Sequence, residues 1–162
     1  MSVEDDFLVT LRQITRAIDL QSKKLLKQTG LTAPQLLVMH SIDRLGHAKP
    51  SEIAREVVLS PATITSILDR LEKAGLILRE RSVQDRRAVE IVLTDIGRDR
   101  LAGAPEMLQA GFLREFRKLE DWERSQLLTA FQRVAAMMNA EDLDVAPIME
   151  LGEISPENGP VS

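Results

Sequence analysis

The stretch that most restricts the fold lies between residues 50 and 93. Two short helical segments there are followed at once by two short strand-like segments. Pro50-Ser-Glu-Ile-Ala-Arg-Glu-Val57 reads as a short helix with proline in its permitted first turn. Ser60-Pro61 opens a second helix, serine as the cap and proline at the first helical position. That helix runs to Lys73 and stops at Gly75. Ile64, Ile67, Leu68 and Leu71 give it an apolar stripe, and Thr63, Thr65, Ser66, Asp69, Arg70 and Lys73 a polar side. Residues 76–81 and 88–93 read as strands around a charged turn, 82–87, with an exposed tip. Two short helices and a hairpin make a winged helix-turn-helix lobe.

The flanking segments are helical. Residues 5–29 place Phe7, Leu11, Ile14, Ile18 and Leu25 on one face, and Gly30 stops the helix. Thr32-Ala-Pro-Gln35 is a capping-box pattern that starts a helix running to about Leu45. Thr94 caps a helix expected over roughly 95–118, kinked by Gly103, Ala104 and Pro105. Asp121 caps a last helix to about Ala140. The fold expected is mainly α with a small β-hairpin wing. It is a single domain over 5–140, in which 32–94 form the winged lobe and 5–29 and 95–140 form a helical dimerisation region. Residues 141–162 combine acids with proline and glycine and read as a loose acidic tail. Val145-Ala-Pro-Ile-Met149, Leu151 and Ile154 are apolar clusters within it.

Composition excludes several chemistries. The chain has no cysteine, which removes disulfides, thiolate nucleophiles and cysteine metal sites. Peroxide therefore has no thiol through which to act, which leaves a small molecule or an ionic change as the expected signal. Only His40 and His47 are available as imidazole ligands, so neither a metal nor a cofactor is expected. His40 lies among apolar residues of its helix and reads more readily as a core histidine than as a ligand. No nucleophile–base pair, glycine-rich phosphate loop or metal-spaced cluster is present in the sequence, and an enzyme is not expected. No apolar run approaches the roughly 18–20 residues of a membrane span. The acidic N-terminus lacks a signal-peptide pattern, so a cytoplasmic protein is expected.

The net charge of −4 argues at first against nucleic acid. The distribution changes that: residues 140–162 carry six acids and no base, whereas 1–139 hold 21 bases against 19 acids. Arg70, Lys73, Arg79, Arg81, Arg86 and Arg87 cluster in the second short helix and the hairpin. A helix fits the major groove, where small hydroxyls reach base edges or phosphates. A basic hairpin tip suits the adjacent minor groove. The competing reading is a winged helix that binds protein. It would call for acidic or apolar residues where this chain has wing arginines and helix hydroxyls.

Residues 32–100 closely resemble the MarR family of bacterial transcriptional regulators. The resemblance is carried by Thr32-Ala-Pro-Gln35, Ser51-Glu-Ile-Ala54, Ser60-Pro-Ala-Thr-Ile-Thr65, Leu68-Asp-Arg-Leu-Glu-Lys-Ala-Gly-Leu76, Asp85-Arg-Arg87 and Leu93-Thr-Asp-Ile-Gly97. Their order and spacing run without a gap, and the long acidic tail is the departure. The resemblance implies a homodimeric regulator of transcription on a pseudo-palindromic double-stranded DNA operator, released by a small effector. It implies that Thr63, Thr65 and Ser66 face bases and phosphates, and that Ser60 and Arg70 contact phosphates. Gln35 and Ser51 match backbone-anchoring positions. Arg86 or Arg87 would probe the minor groove, with Asp85 in the wing motif and Asp69 paired to one of these arginines to set the wing's angle. The effector pocket would be lined by Ile14, Ile18, Leu37, His40 and Leu108.

Overall fold

A computed structural model describes residues 1–143, which fall into two compact units, 1–105 and 106–143. The expected acidic tail, with its apolar clusters, lies outside the described residues from 144 onward.

The first unit opens with α1, Val3–Thr29, two residues longer at its start than its apolar pattern indicates. Ser2 is the reason. Its hydroxyl accepts the Asp5 N–H at 3.2 Å, and the Asp5 carboxylate accepts the Ser2 N–H at 3.0 Å. Gly30 ends the helix in the left-handed conformation, φ 70°, its N–H donating to the Leu26 carbonyl at 2.8 Å. Helix α2, Ala33–Leu45, starts on a buried capping box: the Thr32 N–H donates to Gln35 Oε1 at 2.9 Å. Helices α3, Pro50–Val57, and α4, Pro61–Lys73, follow. Val58 stands at φ 56° between them, a conformation that strains a β-branched residue.

Strands β1, Ile77–Arg81, and β2, Val89–Leu93, pair antiparallel, with Ile77 opposite Leu93 and Arg81 opposite Val89. Ala48, from the segment between α2 and α3, exchanges two hydrogen bonds with Ile91, at 3.0 and 2.7 Å, and so adds a short third rung. Leu36, Val38, Met39, Ile42, Ile53 and Ile64 are completely or almost completely buried, together with Ile67, Leu68, Leu71, Leu76, Ile77 and Ile91. Each such side chain contributes roughly 1.5–3 kcal/mol relative to exposure. These residues come from α2, α3, α4 and the hairpin, so one core fixes the winged body.

Two polar joints organise it. Glu56 on α3 accepts from Ser41 Oγ of α2 at 2.6 Å and from the Arg44 guanidinium. The Ser41 hydrogen bond and the Arg44 charge outweigh burial and hold the Glu56 carboxyl below the usual 4.5. The second joint anchors α5, Asp95–Ala102. Thr94 Oγ1 donates to the Gly75 carbonyl at 2.7 Å and accepts the Gly97 N–H at 3.0 Å, while the Thr94 N–H donates to the Leu76 carbonyl at 3.0 Å. Gly97 comes so close to that carbonyl that a Cβ would stand 2.1 Å from its oxygen.

The continuous, kinked helix expected over 95–118 is not formed. Helix α5 ends at Ala102, and α6, Leu108–Arg117, begins the second unit. Proline at 105 lacks an N–H and disfavours helical geometry at Ala104, and Gly103 adds no side chain to hold the turn. The expected grouping of 95–140 therefore divides: Gly97, Arg100 and Leu101 of α5 are buried in the winged body. In the second unit Phe112 and Phe116 of α6 stack at 5.5 Å, and α7 spans Asp121–Met137.

Gly97→Ala should lower unfolding stability by about 1–3 kcal/mol, because backbone rather than a flexible side chain must yield; denaturant titration measures it. Because the Glu56 carboxyl is held below 4.5, its stabilisation is complete above that pH and lost as pH falls through the folded value. The stability difference between wild type and Glu56→Gln, read from denaturant titrations near neutrality and at acid pH, should therefore shrink below about pH 4.5.

Candidate nucleic-acid interface

The interface is built on α4 and the hairpin. Ser60 Oγ accepts the Thr63 N–H at 3.2 Å and lies 2.8 Å from Thr63 Oγ1, so the serine that starts the helix also fixes the first threonine. Pro61, Ala62 and Thr65 are exposed along the same helix, and Thr63, Ser66 and Arg70 are half-buried. Thr65 Oγ1 donates back to the Pro61 carbonyl at 2.9 Å, leaving its lone pairs outward. Ser51, in the first turn of α3, is exposed. The opposite side of α4, Ile64, Ile67, Leu68 and Leu71, is buried, so the hydroxyl-bearing side stays presented.

Gln35 is the exception among the expected contacts. It is fully buried, its Oε1 caps α2, and its Nε2 has no partner among the described residues. The residue that resembles a backbone anchor is a cap in this chain and takes no part in the surface.

The wing turn is organised by Ser82 and Asp85. Ser82 is buried, and its hydroxyl accepts the N–H groups of Gln84 and Asp85 at 3.3 and 3.4 Å. The Asp85 carboxylate accepts the Arg87 N–H at 3.0 Å, and the Ala88 N–H donates to the Asp85 carbonyl at 2.9 Å. Arg86 and Arg87 are exposed and form no ion pair among the described residues. A turn closed by its own polar groups leaves both guanidinium groups uncommitted.

Asp69 does not pair with Arg86 or Arg87 as expected. Its carboxylate is held by Arg79 of β1, Nη2 to Oδ1 at 2.6 Å, and Arg79 Nη1 donates to Glu72. The strand places Arg79 at the root of the wing, within reach of one turn of α4, whereas Arg86 and Arg87 stand at the tip. Burial lowers the Arg79 pKa, but its hydrogen bonds and charge contacts with Asp69 and Glu72 outweigh this and raise it overall. Arg79 and Ser82 are the contributors that the sequence did not single out. A serine immediately before a charged turn is the available signal for Ser82; for Arg79 only membership of the basic cluster pointed to it.

The residues expected to line an effector pocket are dispersed in exposure. Ile14, Ile18, His40 and Leu108 are exposed and Leu37 is half-buried. His40 is thus not the core histidine expected, because it stands on the outward side of α2. Burial of its remaining surface lowers its pKa, against a smaller upward pull from Asp43. An open depression on α1 is lined instead by Val9, Arg12, Gln13, Arg16, Ala17 and Leu20.

The geometry has counterparts among known proteins. Residues 31–89 match the model of the MarR family. The chain is 34% identical over 92 residues to the HTH-type transcriptional repressor MdtR of Bacillus subtilis, a match covering 57% of this chain and 59% of that protein. It is 32% identical over 97 residues to the organic hydroperoxide resistance transcriptional regulator of the same organism, covering 60% of this chain and 66% of the relative. The chain thus spans less than two thirds of the length of these curated relatives. Among solved structures, a MepR-like protein crystallised with pseudoligands superposes with a TM-score of 0.59 at 28% identity, covering 85% of this chain and 97% of that one. The shared segment contains α2 to α4, the wing turn and the Asp85-Arg86-Arg87 motif, and over it the chain is similar to the MarR family.

Proposed function

We propose that the chain is a sequence-specific transcriptional repressor that binds double-stranded DNA as a homodimer and is released by a small effector. The observation that carries the reading is one rigid body presenting two kinds of contact. Hydroxyls lie along α4, and Arg86 and Arg87 stand on a closed wing turn without ion partners among the described residues. Ser51, Ser60, Thr63, Thr65, Ser66 and Arg70 would meet bases and phosphates in the major groove, and the wing arginines the minor groove. The repressor role is supported by the name of the Bacillus relative, and an effector by the pseudoligands of the structural neighbour.

The dimer is supported by apolar surface in both units. Phe7, Leu8, Ile14 and Ile18 of α1 are exposed, and in α7 Trp122 is 67% and Phe131 57% exposed. Such faces are expected to be covered by a partner. A two-fold dimer sets its recognition helices on half-sites about one helical turn apart.

The test uses the full chain and an operator selected from a random duplex library. Arg86→Ala and Arg87→Ala should each weaken binding and reduce the slope of log K against log salt by about one unit per lost phosphate contact. Sedimentation at micromolar concentration should show a dimer. A stable monomer, or wing variants that bind the selected operator like wild type, would contradict the reading.

A further inference from the structure

The hairpin is joined to the recognition helix by a very short connection. Helix α4 ends at Lys73 and β1 begins at Ile77, with Gly75 between them at φ 74°. A strand rises about 3.3 Å per residue, so the wing turn at Ser82 stands roughly 17 Å along the strand from Ile77. A swing of about 10° at the connection would move the turn by roughly 3 Å, the length of one hydrogen bond. Fixing the contacts of Arg86 and Arg87 therefore requires a tie beyond Gly75.

One such tie is visible. Asp69 and Glu72 stand three residues apart on α4, and Arg79 of β1 donates to both. Arg79 also lies opposite Ile91, the residue that Ala48 bonds from its other side. Its side chain thus springs from a braced rung of the sheet and closes a ring across Gly75. A lysine, with a single ammonium, does not reproduce a fork between two carboxylates.

We propose that Arg79, by holding Asp69 and Glu72, sets the angle between recognition helix and wing and so positions Arg86 and Arg87 on DNA. Arg79 is a positioning residue, its guanidinium taken up by Asp69 and Glu72. The inference rests on the DNA-binding reading above. An ion pair this near the surface adds little to overall stability. Its loss should show in the order of the wing and in the use made of the wing arginines, with the thermal midpoint moving by at most about 5 °C.

The experiment has two readouts on the full chain. Without DNA, Arg79→Ala should speed amide exchange in 82–88 while leaving exchange in α2 and α4 unchanged. With a selected operator, Arg79→Ala should weaken binding about tenfold. Arg87→Ala made on that background should then cost much less than it does in the wild-type chain, because an unpositioned arginine contributes little. Arg79→Lys should recover only part of the affinity. Bare carboxylates repelling phosphate would be a different cause, so Arg79→Ala is combined with Asp69→Asn and Glu72→Gln. Positioning requires that the triple variant stay weak.

Unchanged wing exchange, additive effects of Arg79→Ala and Arg87→Ala, or recovery in the triple variant would each overturn the proposal. If the wild-type chain selects no operator while Arg79→Ala still loosens the wing, the DNA-binding reading is what fails. The assignment of Arg79 to DNA positioning falls with it.

Discussion

The rest of the winged body depends on the joint where Thr94 and Gly97 meet the carbonyls of Gly75 and Leu76. Three hydrogen bonds and one close backbone approach converge there. The joint ties the end of α4, the base of the hairpin and the first turn of α5. Any side chain at 97 would push α5 away from Leu76 and open the core beneath it. The apolar core supplies most of the stability, but it is non-directional. The joint fixes where the hairpin starts at the end of α4.

Polar groups then divide by what they hold. Glu56 with Ser41 and Arg44 links α3 to α2, and Arg79 with Asp69 and Glu72 links the hairpin to α4. Both use a charged group reached by two partners from another element, which fixes an angle more tightly than a single contact. Arg100 is different. It is 7% exposed, and its Nε and Nη1 have no partner among the described residues. Burial lowers its pKa, so it is a cost carried by the core. The wing tip needs no partner from elsewhere, because Ser82 and Asp85 close it locally.

Much of this was legible because caps and stops are local signals. Thr32-Ala-Pro-Gln35, Ser60-Pro61, Thr94, Gly30 and Gly75 mark helix ends within a residue or two of where they form. The two short segments 76–81 and 88–93 around a charged turn located both strands. Of the expectations that failed, one met a stronger local signal and another a longer-range competitor. The Gly103–Pro105 run looked like a kink, yet proline removes a donor and restricts its neighbour, and the helix stops there. Gln35 looked available for DNA, but the cap it completes is buried by the core around α2.

What the sequence by itself determined is therefore the order of elements, their ends, and which side of α4 carries hydroxyls. Each of these depends on residues a few positions apart. Tertiary structure alone decided that Asp69 pairs with Arg79 rather than with Arg86 or Arg87, that His40 faces outward, and that Gly97 must lack a side chain. Those outcomes depend on distances between elements remote along the chain. Such distances are set only when the core closes, because the hydrophobic burial that closes it specifies no partner for any charged group.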